Sequence, residues 1–178
     1  MNPTRLTRRH VLIGIGLLSA QGILAACSRT ASVAITPADF DPATTCDLDG
    51  MLLGDYPGPK AQIFFGDQTR PVWYCDTVEM FSTLLRPEQV RKVTAVFTQD
   101  MDLAEWDKPR GHWFDARKGF YVIGSRRRGS MGPTIAGFEK EDVARKFAAT
   151  YGGKVLRFAD VTPDMVDLSG GAMHDHRM

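Results

Sequence analysis

The chain has 178 residues, 43% of them hydrophobic and 24% charged, the balance of an ordinary globular protein of one domain or two small ones. Lysine and arginine number 22 against 21 acidic residues; with Arg5, Arg8 and Arg9 set aside, 19 basic residues face 21 acidic ones, which excludes a general nucleic-acid-binding surface. Three cysteines are too few for a disulfide framework.

Residues 1–26 read as an export signal. A basic start with Arg5, Arg8 and Arg9 precedes the short apolar run 11–18, which falls well below the ~20 residues a membrane-spanning helix needs. Thr7-Arg8-Arg9-His10-Val11-Leu12 has the look of a twin-arginine motif, with His10 as a departure from it. Leu24-Ala25-Ala26-Cys27 resembles a lipobox, in which Cys27 becomes the lipidated N-terminus. Residues 27–44 are rich in Ser, Thr, Ala and Pro and read as a flexible tether, with a folded role left open for its last few residues.

The tether leads into Cys46-Asp47-Leu48-Asp49-Gly50-Met51, which places a thiol, two carboxylates and a thioether within six residues, with a glycine that lets the chain turn. The thiol and the thioether are soft donors that suit Cu(I), the carboxylates less so, and the stretch reads as half of a soft-metal site. A second turn follows at Gly54-Asp55-Tyr56-Pro57-Gly58-Pro59.

Residues 61–65 and 71–75 are strand-like and separated by a polar turn, as in a hairpin. Asp76 then offers a helix N-cap, Glu79 an acid in the first turn, and Val78, Met80, Phe81, Leu84 and Leu85 an apolar helical face that ends before Pro87. Residues 93–98 form a third strand. The same order returns after the link 102–115, which carries Trp106, His112 and Trp113. Residues 119–124 are a strand, 126–132 a basic turn, 133–138 an extended segment, 140–151 a helix with Val143, Phe147 and Ala148 inward, and 154–158 a strand, with Gly152-Gly153 closing the helix. Neither half is long enough to bury much core alone. The expected fold is therefore α+β, with two packed, related ββαβ units, 45–112 and 113–165, and a flexible tail over 166–178.

Candidate ligands are spread along this frame. Met51 follows a turn glycine, and Met131 lies between Ser130 and Gly132 beside three arginines, both poor core positions; Met80 and Met165 sit in apolar or amphipathic patterns and read as packing residues. Cys75 ends a strand just before a helix N-terminus, where the helix dipole favours thiolate. Cys46 is either a further ligand or its disulfide partner in an oxidising compartment. Asp49 is open to three roles: oxygen ligand, hydrogen-bond partner of a ligand, or turn former. The tail adds Met173, His174, His176 and Met178, a donor set suited to copper capture. Arg126, Arg127 and Arg128 are either a solvated turn or a docking surface for an acidic partner. No nucleophile–base pair or nucleotide-binding glycine motif marks an enzyme.

Taken in order, Cys46-Asp47-Leu48-Asp49-Gly50-Met51, Asp55-Tyr56-Pro57-Gly58-Pro59-Lys60-Ala61-Gln62, Tyr74-Cys75-Asp76-Thr77-Val78-Glu79-Met80, Phe120-Tyr121-Val122-Ile123-Gly124-Ser125, Met131-Gly132 and Gly152-Gly153-Lys154-Val155-Leu156 resemble the NosL family of copper-binding accessory lipoproteins. The resemblance spans roughly residues 45–160. It implies a fold of two related ββαβ units, Cu(I) as cargo, a lipid-anchored position facing the periplasm, and as partners nitrous oxide reductase and its membrane ABC-type maturation complex. Many members carry Cys-x-x-Cys-Gly-Met where this chain has Asp49 in place of the second cysteine. That departure argues against a dithiolate confined to the loop, and the resemblance implies Asp49 and Met51 as a copper-binding pair together with the distant Met131. The rival expectation from the residues alone is thiol–disulfide exchange by Cys46 and Cys75, or a metal-free binding module of the cell envelope.

Overall fold

The structure, a computed structural model, describes residues 34–66 and 68–168. The signal segment with Cys27, and the tail with His174 and His176, lie outside the described residues.

Two antiparallel sheets carry the fold, which is α+β. In the first, β1 (Ala61–Phe65) lies between β2 (Val72–Tyr74) and β3 (Val93–Gln99), and β4 (Trp113–Asp115) extends the β3 edge. In the second, β5 (Phe120–Ile123) lies between β8 (Ala136–Phe138) and β9 (Lys154–Arg157). Helix α1 (Thr77–Leu85) connects β2 to β3, and α2 (Glu141–Tyr151) connects β8 to β9. Each half therefore runs strand, strand, helix, strand, with its first strand in the middle of the sheet. The second half differs by a small inserted hairpin, β6 (Arg128–Gly129) and β7 (Gly132–Pro133). β4 was not foreseen: it falls just past the boundary expected at residue 112, yet it pairs with the first sheet.

Local chemistry explains the helix ends. Asp76 accepts the Val78 N–H at 2.9 Å and starts α1 as its N-cap. Gly152 ends α2 at φ 80°, a left-handed conformation that a glycine adopts without steric cost, and its N–H returns to the Ala148 carbonyl.

The main core is shared between the halves. Ile63, Met80 and Phe81 from the first meet Tyr121, Ile135 and Leu156 from the second, all buried. The Phe81 ring stands edge-on to Tyr121 at 4.9 Å and also meets Phe158 at 5.1 Å. A second cluster lies between α2 and the second sheet, where Ala144 is fully buried and Val143, Phe147 and Ala148 pack around it. Among the described residues no helix is long and apolar enough to cross a membrane.

The segment expected as tether is packed over its last part. The Gln62 side chain clasps the backbone of Ala38 on both sides, accepting its N–H at 3.0 Å and donating to its carbonyl at 2.9 Å. Phe40 is buried against Trp73 and Trp113, under the Arg110 guanidinium. An isolated Asp-Phe-Asp between alanine and proline residues gives no periodic signal, so the packing of Phe40 is not visible in local sequence. It builds a third cluster of Phe40, Cys46, Leu53 and Cys75, with Met51 packed on it.

Candidate metal centre

The loop that carries Cys46 is closed on itself. The Cys46 N–H donates to the Met51 carbonyl at 2.8 Å, the Gly50 N–H to the Cys46 carbonyl at 2.9 Å, and Thr45 bridges Leu52. Gly50 turns at φ 78°, and Asp49 Oδ1 accepts the Met51 N–H at 2.9 Å, the local turn typical of this residue type. The loop is then fastened to β2. Asp47 donates its N–H to the Trp73 carbonyl at 2.8 Å and accepts the Trp73 N–H on Oδ2 at 2.5 Å. This exchange brings Cys46 alongside Cys75, two residues beyond Trp73.

Glu79 completes the group. It stands three residues after the N-cap Asp76, where a carboxylate can fold back over the helix start. Its Oε2 accepts the Cys75 N–H at 3.1 Å, the Cys46 thiol at 3.2 Å and the Cys75 thiol at 3.3 Å. The Cys75 thiol also lies 3.6 Å from Asp49 Oδ2 and 3.1 Å from Ser130 Oγ on the β6–β7 hairpin, and Ser130 donates to the Cys75 carbonyl at 3.1 Å. The ligating atoms of Cys46, Asp49, Cys75 and Glu79 all lie within 4.8 Å of one another. Cys46, Cys75 and Glu79 are buried and Asp49 is exposed, so the group opens on the Asp49 side.

The two cysteines are free thiols. The expectation that the helix start lowers the Cys75 pKa is reversed. The adjacent Cys46 side chain, then burial, push the Cys75 thiol up, and the Ser130 hydroxyl opposes this only in part. Burial likewise raises the Glu79 carboxyl against the pull of the two thiol donors. Both thiols thus donate to one Glu79 oxygen, and the Cys75 thiol resists ionisation.

Of the residues singled out from the sequence, Cys46, Cys75 and Asp49 converge. Met51 is half-buried, with its backbone pinned to Cys46 and Asp49. Met131 is 53% exposed and follows Ser130 at the edge of the group. Arg126 and Arg127 have internal roles: Arg126 donates to the Thr150 carbonyl at 2.7 Å at the C-terminal end of α2, and Arg127 lies over the Trp106 ring at 4.4 Å. Arg128 keeps an exposed side chain, while its carbonyl accepts the Trp106 indole N–H. Glu79 was missed as a site residue. Asp76-Thr77-Val78-Glu79 has the spacing of a capping box, and that spacing is the signal that turns the carboxylate back toward Cys75.

The donor set fits a soft metal ion. Two sulfurs and two oxygens face one small space, half-shielded from water, and thiolate donors select soft ions. Fold and site together define a small α+β protein with a mixed thiol–carboxylate donor group at the entrance to a helix.

The chain belongs to the NosL family, whose sequence pattern matches residues 37–166. It is 38% identical over 162 residues to a copper-binding lipoprotein NosL of Achromobacter cycloclastes, covering 89% of this chain and 82% of that one. It is 33% identical over 174 residues to the copper-binding lipoprotein NosL of Stutzerimonas stutzeri, covering 92% and 90%. The crystal structure of the copper chaperone NosL from Shewanella denitrificans superposes with a TM-score of 0.71 at 36% identity, over 74% of this chain and 99% of that one.

Proposed function

We propose that this chain is a lipid-anchored Cu(I) chaperone facing the periplasm, which delivers copper for the maturation of nitrous oxide reductase. The observation that carries the reading is the convergence of Cys46, Cys75, Asp49 and Glu79 within 4.8 Å. The relatives named as copper-binding lipoproteins and as a copper chaperone support it, and they are named for binding, not for catalysis. The lipobox ending at Cys27 supports the anchor, since several acyl chains together hold a protein stably at a membrane. The recipient, and the ABC-type complex that works with it, follow from the family resemblance.

Copper is cargo in this reading. Cu(I) accepts few ligands and prefers sulfur, so Cys46 and Cys75 are the primary pair. Each must give up its thiol proton to bind; Glu79, which accepts both S–H groups, takes one of the two, and the other passes to water on the open Asp49 side. Asp49 marks the open side through which an ion enters and leaves. Met51 and Met131 flank that side as thioethers that hold the ion weakly on its way out.

The test is a Cu(I) titration of the reduced protein against a chromophoric chelator. One equivalent bound tightly by the wild type, with a loss of at least tenfold in affinity in Cys46→Ser/Cys75→Ser, is the expected result. No binding in competition with the chelator would contradict it. The adjacency of two free thiols also favours a second reading, thiol–disulfide exchange. That reading requires the pair to cycle with a protein disulfide in the absence of copper, which mass spectrometry of the alkylated protein detects.

A further inference from the structure

The β6–β7 hairpin belongs to neither main sheet; its strands form a two-stranded sheet of their own. A lone two-stranded hairpin is marginally stable in water, so its seat beside the thiols is set by contacts from elsewhere in the chain. At the tip, Ser130 donates to the Cys75 carbonyl, and its Oγ stands 3.1 Å from the Cys75 thiol. Just past β7, the Thr134 hydroxyl donates to Asp76 Oδ1 at 2.7 Å. On β6, the Arg128 carbonyl accepts the Trp106 indole N–H at 2.9 Å.

Trp106 comes from the link between the halves, and its half-buried ring is fixed independently of the hairpin strands. It stacks on Phe147 of α2, with ring centroids 5.6 Å apart and planes inclined by 18°, and it packs on the buried cluster around Ala144. The Arg127 guanidinium lies over it at 4.4 Å, a placement that the negative ring face favours. The Trp106 carbonyl in turn accepts the Gly58 N–H at 2.8 Å, and Gly58 lies directly against Gly129 of β6. One residue thus holds β6 at two adjacent points, through its indole at Arg128 and, by way of Gly58, through its backbone at Gly129. Ser130 and Met131 are the next residues along the chain. Hydrogen bonds weaken steeply with distance, so a tip displaced by about 1 Å loses both Ser130 contacts.

We propose that Trp106 is a positioning residue for the donor group. Its indole N–H holds β6 so that Ser130 stays on Cys75 and Met131 stays at the open side, and it thereby slows loss of the bound ion. The proposal rests on the reading that the group carries Cu(I).

The experiment compares wild type, Trp106→Phe, Ser130→Ala/Met131→Ala and the triple variant, all as full chains. Hydrogen-exchange mass spectrometry of the metal-free, reduced protein reads the hairpin, and chelator competition reads Cu(I) affinity. Trp106→Phe keeps an aromatic ring on Phe147 and removes the donor. Exchange over residues 128–134 should quicken and Cu(I) affinity should fall, each by about threefold to tenfold, the worth of one hydrogen bond. Exchange over α2 should stay at the wild-type rate, since the opening is local. In the Ser130→Ala/Met131→Ala background, Trp106→Phe should lower affinity by less than about twofold, because the groups it positions are gone. If Trp106→Phe does not fold, Arg127→Ala, which loosens the ring and leaves its N–H, decides: both readings should shift the same way by a smaller factor, and either one unmoved would overturn the proposal. Exchange quickened equally in α2 and the hairpin, hairpin exchange unmoved, or the full loss of affinity kept in the triple variant would overturn the proposal alone. A wild type that binds no Cu(I) would overturn the metal reading and the proposal with it.

Discussion

Glu79 Oε2 accepts the Cys75 thiol at 3.3 Å and, at 3.1 Å, the N–H of the same residue. One oxygen thus holds both the backbone and the side chain of a candidate ligand, and it also takes the Cys46 thiol at 3.2 Å. Glu79→Gln removes the charge and the proton acceptor while keeping the shape. Groups that orient metal ligands usually cost 10–100-fold in affinity when changed. A fall of about that size in Cu(I) affinity is expected, with the far-ultraviolet circular dichroism unchanged. Affinity equal to wild type would mean that Glu79 only caps the helix.

A second expectation concerns the backbone contact that seats the β6–β7 hairpin over the thiols. Gly129 packs so closely on Asp76 that a Cβ there would meet Asp76 Oδ2 at 2.1 Å and Thr134 Cβ at 2.8 Å; a Cβ on Gly58, at φ 82°, would meet Gly129 Cα at 2.8 Å. Gly129→Ala should lose about 1–3 kcal/mol of stability, read from urea denaturation. Because Ser130 and Met131 follow directly, Cu(I) affinity should fall with it. A fully stable Gly129→Ala protein would show that the hairpin shifts freely.

The pH dependence of the metal-free protein has a defined sign. Burial raises the Asp76 carboxyl to about 6, against the N–H of Val78, the Thr134 hydroxyl and the Lys60 charge. An unfolded Asp titrates near 3.8, so between about pH 4 and 6 the folded chain holds a proton that the unfolded chain does not. Stability therefore rises as the pH falls through that window, by up to about 3 kcal/mol from this group. Burial raises Glu79 and Asp100 in the same direction. Urea midpoints at pH 7 and pH 5 should show a smaller gain on acidification in Asp76→Asn than in wild type. Equal gains would contradict the assignment.

Arg126 and Arg127 are engaged with Thr150 and Trp106, which leaves Arg128 as the exposed arginine of the run whose side chain has neither of these contacts. Arg127→Ala loses the stacking over Trp106 and should cost about 0.5–1 kcal/mol in stability. Arg128→Glu should leave both stability and Cu(I) affinity near wild type and weaken capture by a membrane partner complex. A loss of copper affinity in Arg128→Glu would tie that side chain to the site itself.

Short-range patterns carried much of the fold into view. The apolar face of α1, the cap at Asp76 and the glycine stop at Gly152 each depend on neighbours within a few residues, and each is found in place. β4 was hidden because three residues in a Gly- and Pro-flanked link show no alternation; only pairing with β3 makes them a strand. The centre was half visible. Cys46, Asp49 and Cys75 declare themselves by residue type, but their meeting depends on Asp47 exchanging hydrogen bonds with Trp73, 26 residues away. Glu79 was obscured because an acid in a first helical turn has a sufficient local reason to be there.

The central claim is that sulfur from Cys46 and Cys75 holds the copper ion, and X-ray absorption on the protein loaded with one equivalent of Cu(I) tests it most directly, wild type beside Cys46→Ser/Cys75→Ser. The expected result is a copper shell dominated by sulfur in the wild type, with that sulfur signal replaced by lighter neighbours, or copper lost, in the double variant. An unchanged sulfur shell in the double variant would contradict the claim and place the ion on the thioethers of Met51 and Met131.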